Sequence, residues 1–201
     1  MIFYLCRHGQ TVANRDQIMS GQIDTPLTDQ GLFQGTENGL RLYTYLKMKN
    51  QFINGVYSSD LGRAFITATR MATQLQDRLL NHRVNTSEKI REMTYGSYTY
   101  KPIDWVKANS DYYDINYRFP LGECFVDVRT RASAFIEKLA EQYPKETLLI
   151  VAHSGVIRAI NDSWGQYAIE DGKNRKVGHN YIGRYDVDSY AELNSYQEIS
   201  S

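Results

Sequence analysis

Residues 2–9 read Ile2-Phe3-Tyr4-Leu5-Cys6-Arg7-His8-Gly9, and residues 148–155 read Leu148-Leu149-Ile150-Val151-Ala152-His153-Ser154-Gly155. Each is a short, β-prone apolar run that ends on a histidine, with glycine close behind. Runs of this kind are strands buried on both faces, as parallel sheets require. In open α/β sheets, ligands collect outside the carboxyl ends of the strands. His8 and His153 are therefore expected at one edge of one sheet.

Working outward, strand-like and helix-like stretches alternate. Thr28-Asp29-Gln30 opens a helix with Thr28 as its N-cap. Leu32, Leu40, Leu42 and Leu46 form its expected apolar face, and Gly35 and Gly39 either weaken it or mark close packing. Residues 52–57 read as a second strand. Ser58-Ser59-Asp60 reads as the start of a helix that passes Arg63 and runs to about residue 80. Residues 84–86 suit an edge strand. Residues 97–122 are aromatic and polar without clean period, an insertion with one short helix after Pro102. Residues 123–143 are strongly amphipathic, with Val126, Ala134, Ile136 and Leu139 among the apolar positions, and Pro144 closes the helix. A helix from Val156 towards Trp164 and a strand pair within 181–187 and 190–199 complete the pattern. The expectation is a single α/β domain over 1–201. It is a three-layer α/β/α sandwich with a mostly parallel central sheet and a small lid insertion at about 97–122.

Bulk composition narrows the function. Lys+Arg and Asp+Glu are equal at 23 each, so no global field favours nucleic acid or an anionic membrane. Cys6 and Cys124 cannot form a disulfide framework and lack metal-ligand spacing, which favours a reducing compartment. The apolar run before Arg7 is too short for a signal peptide, and no stretch reaches the roughly 20 apolar residues of a membrane helix. A cytoplasmic protein is expected, with no nucleic-acid partner, no membrane partner, no metal and no cofactor.

Chemistry gathers at the strand ends. Arg63 falls in the first turn of the helix after the second strand, at the same sheet edge as His8 and His153. Two arginines, two histidines and a helix N-terminus make a local cationic pocket suited to a phosphoryl group. Taken singly, a histidine after a strand is more often structural than catalytic; the repeated strand–His–Gly pattern with an adjacent Arg brings the two readings level. His82 lies at a polar helix end and reads as solvated. His179, before Asn180, suits either a site-lining or a structural role. Glu92 reads, on its neighbours alone, as a surface ion pair with Arg91. A zinc set of Cys6, His8 and His153 fails, because Cys6 lies inside the apolar run.

Leu5-Cys6-Arg7-His8-Gly9-Gln10-Thr11, with Asn14 beyond, resembles the signature of the histidine phosphatase superfamily, phosphoglycerate mutase-like branch. Asp24-Thr25-Pro26-Leu27-Thr28-Asp29-Gln30-Gly31 and Tyr57-Ser58-Ser59-Asp60-Leu61-Gly62-Arg63-Ala64 resemble its next two blocks. Arg91-Glu92-Met93-Thr94-Tyr95-Gly96, Pro120-Leu121-Gly122-Glu123 and Val151-Ala152-His153-Ser154-Gly155-Val156-Ile157-Arg158 follow in family order. The resemblance is nearest to broad-specificity and alpha-ribazole phosphatases. Two departures stand out. Ser97-Tyr98-Thr99-Tyr100-Lys101 replaces a Trp-Glu-Gly-like stretch, and Gly122-Glu123-Cys124 replaces Gly-Glu-Ser.

The resemblance implies roles. His8 would attack phosphorus and carry it as phosphohistidine. Arg7, Arg63 and His153 would bind the phosphoryl oxygens, and Glu92 would protonate the leaving group and later activate water. Asn14, Gln22 and Ser154 would line the substrate pocket. A neutral His8 fits, since an unperturbed imidazole has a pKa of about 6.5, and its other nitrogen is expected to be held by a backbone carbonyl at the Gly9 turn. Arginines can supply the charge stabilisation that phosphoryl transfer needs without metal. The mutases of the family clamp a bisphosphate with a longer, basic insertion. Here Lys101, Lys107 and Arg118 are dispersed among aromatics, which favours hydrolysis of a small phosphorylated substrate. Mutase-type transfer and a non-catalytic phospholigand-binding regulator stay open. Candidate substrates are a nucleoside-like monophosphate, a sugar phosphate, or a broad range of monoesters. Trp105, Tyr112, Tyr113, Tyr117 and Phe119 either select that substrate or only pack the insertion onto the domain.

Overall fold

The protein's structure, a computed structural model, describes residues 1–165 and 176–199. Its elements are β1 (Ile2–Arg7), α1 (Val12–Arg15), α2 (Asp29–Lys49), β2 (Gly55–Ser59), α3 (Gly62–Leu75), β3 (Val84–Ser87), α4 (Ile103–Ala108), α5 (Phe125–Gln142), β4 (Thr147–Ala152), α6 (Ser154–Ser163), β5 (Ile182–Val187) and β6 (Leu193–Glu198). The six strands form one sheet in the order β3-β2-β4-β1-β5-β6. The β3-β2, β2-β4 and β4-β1 pairs are parallel, and β5 and β6 close the sheet antiparallel.

The period-2 alternation of β1 feeds two cores. Phe3 and Leu5 pack with α5 and α6 through Val128, Ile136, Val156 and Ile160. Tyr4 and Cys6 pack on the opposite face with α2 and α3 through Leu42, Leu46, Ala68 and Met71. The three-layer architecture expected from the alternating elements is the one observed. The chain leaves β1 for α2 on one face and leaves the adjacent β4 for α6 on the other, so a crevice opens between those two strand ends.

Several element details differ from the sequence reading. Leu40 is 45% exposed and Ala134 is also exposed, so neither contributes to its helix's buried face. Gly35 and Gly39 mark close packing: a Cβ at Gly39 would lie 2.9 Å from the backbone of Met71 on α3. The second strand starts at Gly55, because Ile53 makes only an isolated bridge to Leu79. Ser58 and Ser59 still belong to β2, and α3 ends at Leu75, where Gln76 turns to φ 48°. No side chain of its own caps α3. The carboxylate of Asp24 does so from the preceding loop, accepting the Gly62 N–H at 2.6 Å. No helix among the described residues is long and apolar enough to cross a membrane.

Candidate active site

Parallel pairing of β1 with β4 sets Arg7 opposite Ala152. The next residue on each strand is a histidine, and the His8 N–H donates to the Ala152 carbonyl at 3.0 Å. The two imidazoles meet with ring centroids 5.0 Å apart. His8 is 4% exposed and His153 is fully buried.

The His8 ring is oriented from within its own loop. Its Nδ1 lies 2.7 Å from the Gly9 carbonyl oxygen. A carbonyl can only accept, so Nδ1 carries the proton and Nε2 presents a lone pair. Burial, then the charges of Arg63 and Arg7, hold its pKa well below the ordinary histidine value. The ring is neutral at pH 7. His153 is depressed in the same way, first by burial and then by Arg63 and His8. Neither of its ring nitrogens has a hydrogen-bond partner among the described residues. A buried, unpartnered imidazole next to a lone pair and two guanidinium groups is a site built for an anion.

Arg63 follows the Asp24-capped start of α3 and is 2% exposed. Its guanidinium donates to the carbonyls of Gly21 at 2.6 Å and Ile23 at 2.9 Å, so it is clamped before any ligand arrives. Thr67, one turn on, donates to the Arg63 carbonyl at 2.7 Å and accepts the Gly9 N–H at 3.1 Å. That hydroxyl ties the His8 loop to α3. Burial lowers the Arg7 guanidinium to about 10, which leaves it charged at neutral pH. Arg7 donates to the Val177 carbonyl, and its Nε is buried without a partner among the described residues.

Glu92 is not the ion-pair partner of Arg91; Arg91 pairs with Asp60. The Glu92 carboxylate instead turns to the N-terminus of α6, accepting the Gly155 N–H at 3.1 Å and the Met93 N–H at 2.9 Å. Its backbone is held by Arg131 of α5, which donates to the carbonyls of Lys89, Arg91 and Glu92 and pairs with Glu123 at 2.8 Å. Gln22 donates to the Glu92 carbonyl at 3.1 Å. Asn14 caps α1: its Oδ1 accepts the Thr11 N–H at 3.2 Å in a capping box. Ser154 and Arg7 line the inner end of a cavity of 620 Å³.

His179 does belong to this group. Its ring lies 5.7 Å from that of His8, and its Nδ1 is 2.7 Å from the His8 carbonyl oxygen. The insertion is packed around Phe119, which meets Tyr95, Tyr98, Tyr112 and Tyr117 edge-on at 5.0–6.5 Å. Most of its rings are thus structural. Tyr112 and Tyr113 face the cavity.

Comparison with known proteins finds relatives in sequence and in fold. Phosphoglycerate mutase-like protein 4 of Arabidopsis thaliana is 30% identical over 169 residues, 77% of this chain and 66% of that protein. The chain therefore spans just under two thirds of that relative's length. Among solved structures, a candidate alpha-ribazole-5'-P phosphatase from Escherichia coli matches with TM-score 0.76 at 26% identity, over 100% of this chain and 96% of that one. Mycobacterial glucosyl-3-phosphoglycerate phosphatase, solved with VO3, shares the fold with TM-score 0.80 at 20% identity, over 100% of this chain and 98% of that one. The profile of the histidine phosphatase superfamily (branch 1) matches residues 3–192. The chain belongs to the histidine phosphatase superfamily.

Proposed function

We propose that this chain hydrolyses small phosphate monoesters, without a metal, through a phosphohistidine on His8. The observation that carries the reading is the His8 ring, with Nδ1 tied to the Gly9 carbonyl and Nε2 without a partner among the described residues, beside buried His153, whose ring nitrogens also lack one among them.

The Nε2 lone pair attacks phosphorus as the bond to the leaving oxygen breaks. Glu92, entering as the acid, delivers its proton to that oxygen. Water then gives a proton to the Glu92 carboxylate, and its oxygen attacks phosphorus. The P–N bond breaks, returning the electron pair to His8 and releasing phosphate. Arg7, Arg63 and His153 hold the equatorial oxygens, and two guanidinium groups supply the positive charge that the transition state needs. Gln22 and Ser154 line the way in. The domain works as one unit, with the insertion at about 97–122 covering the site.

Phosphate release from p-nitrophenyl phosphate in excess EDTA tests this. Wild type is expected to turn over and His8→Ala to lose at least about a thousandfold. Activity that dies with EDTA, or survives in the variant, overturns the reading. A second reading, transfer of the phosphoryl group between two hydroxyls of one substrate, draws support from the mutase-like relative. It predicts substrate isomerisation instead of free phosphate.

A further inference from the structure

Residues 91–95 belong to no helix or strand, yet they carry Glu92. A group that moves a proton at a reacting centre has to be held within about 0.5 Å of its place. No ladder of backbone bonds holds this segment, so side chains must. Arg131 supplies most of that hold. It stands on α5 between the fully buried Val128 and Ala132, so the core fixes its Cα. Its five hydrogen bonds match the five N–H donors of a guanidinium. Nε donates to Glu123 Oε1 at 2.8 Å. Nη1 reaches the carbonyls of Lys89 at 2.8 Å and Arg91 at 2.6 Å, and Nη2 reaches the Glu92 carbonyl and Glu123 Oε2, both at 3.1 Å. Glu123 grips the other side of Glu92. Its Oε2 accepts the Thr94 N–H at 2.9 Å, and its own N–H donates to the Thr94 carbonyl at 3.0 Å. The pair thus holds the main chain at 89, 91, 92 and 94. Beyond it, the Glu92 carboxylate fits the start of α6 so closely that a Cβ at Gly155 would lie 2.1 Å from Oε1. A small shift of the main chain is passed directly to that contact.

We infer that Arg131, backed by Glu123, is a positioning residue that sets where the Glu92 carboxylate stands against α6; its bearing on turnover rests on the phosphatase reading of Glu92. With all five donors engaged, Arg131 acts through the main chain of 89–92 and not on substrate. Lysine cannot replace it, because an ammonium offers three donors at one point and no planar fork. Lysine does keep the charge. Arg131, after burial, Arg63 and His8, helps to hold His153 low, so Arg131→Lys removes the fork and retains the field.

Two readouts test this. The first compares phenyl phosphate, whose leaving oxygen needs a proton, with p-nitrophenyl phosphate, whose leaving oxygen does not. Arg131→Lys is expected to lower kcat/KM about 10- to 100-fold on the former and no more than about threefold on the latter. The second needs no turnover. In protein labelled with 15N-glycine, the Gly155 amide peak of Arg131→Lys should move from its wild-type position towards that seen in Glu92→Ala. Should Arg131→Lys not fold, Glu123→Gln breaks the bidentate pair at constant volume and is expected to move both readouts the same way. Equal losses on the two esters, or an unmoved Gly155 peak, overturns the inference. If wild type releases phosphate from neither ester, the phosphatase reading falls, and the Gly155 peak alone decides whether Arg131 positions Glu92.

Discussion

His179 donates its Nδ1–H to the main-chain oxygen of His8 across 2.7 Å, so one histidine positions the backbone of another. Asn38 of α2 fixes the donor in turn, through a 2.8 Å bond to the His179 carbonyl. Losing one such bond costs about 1–1.5 kcal/mol, roughly a tenfold loss of rate when the group positioned is the nucleophile. His179→Ala is therefore expected to lower kcat on p-nitrophenyl phosphate about tenfold while KM moves less than about threefold. An effect on KM alone would make His179 a substrate contact.

Glu92→Gln keeps one oxygen that can accept the Gly155 N–H of α6, while the acceptor for the Met93 N–H and the transferable proton are lost. Alkyl phosphates, whose leaving group needs that proton, should slow by about 10²–10⁴. With p-nitrophenyl phosphate, whose leaving phenolate is stable unprotonated, the loss should be under about tenfold. Equal losses on both substrates would assign Glu92 a role other than proton transfer.

Stability should fall on mild acidification. His8 and His153 are held well below the ordinary histidine range, and burial lowers His179 to about 4. Unfolded histidines titrate at about 6.5, so below that pH the unfolded chain binds more protons than the folded one. The stability contributed is complete above about pH 6.5. It is lost as pH falls towards the depressed folded values, by up to about 1.4 kcal/mol per pH unit for each of the buried pair His8 and His153. Urea unfolding at pH 7.5 and 5.5 measures this. A flat profile would contradict the neutral, buried imidazoles.

Gly31→Ala isolates a steric contact. Alanine normally favours a helix by about 1 kcal/mol over glycine, yet a Cβ here would collide with the carbonyl oxygen of Gln10. The expected outcome is a loss of about 1–3 kcal/mol, read as a lowered Tm. Activity should fall with it at temperatures where the variant is folded, since Gln10 closes the loop that carries His8 and Gly9. A raised Tm would mean that the loop can move aside.

What could be read from the residues follows what is local. The strands before His8 and His153 are contiguous apolar runs, and Arg63 lies a few residues past a third, so periodicity alone brings them to one edge. Glu92 needed the family resemblance, because its nearest charged neighbour, Arg91, suggested an ion pair that Asp60 makes instead. Arg131 gave no signal at all. It is one of several cations on an amphipathic helix, and besides Glu123 its partners are the carbonyls of Lys89, Arg91 and Glu92, which carry no side-chain signature. Asp24 capping α3 and Lys107 lining one cavity with Lys176 are likewise products of topology. His179 stayed open for the same reason, since its partner is a backbone oxygen on another strand's loop.

β1 lies between β4 and β5, so its two hydrogen-bonding neighbours come from residues 147–152 and 182–186. His8 thus precedes in sequence nearly everything that positions it. These pairings are the slow kind, closing long loops before they gain contacts. During folding, His8 stays an ordinary, protonatable imidazole until the far end of the sheet docks. The burial that holds its titration low therefore arrives only with the completed sheet.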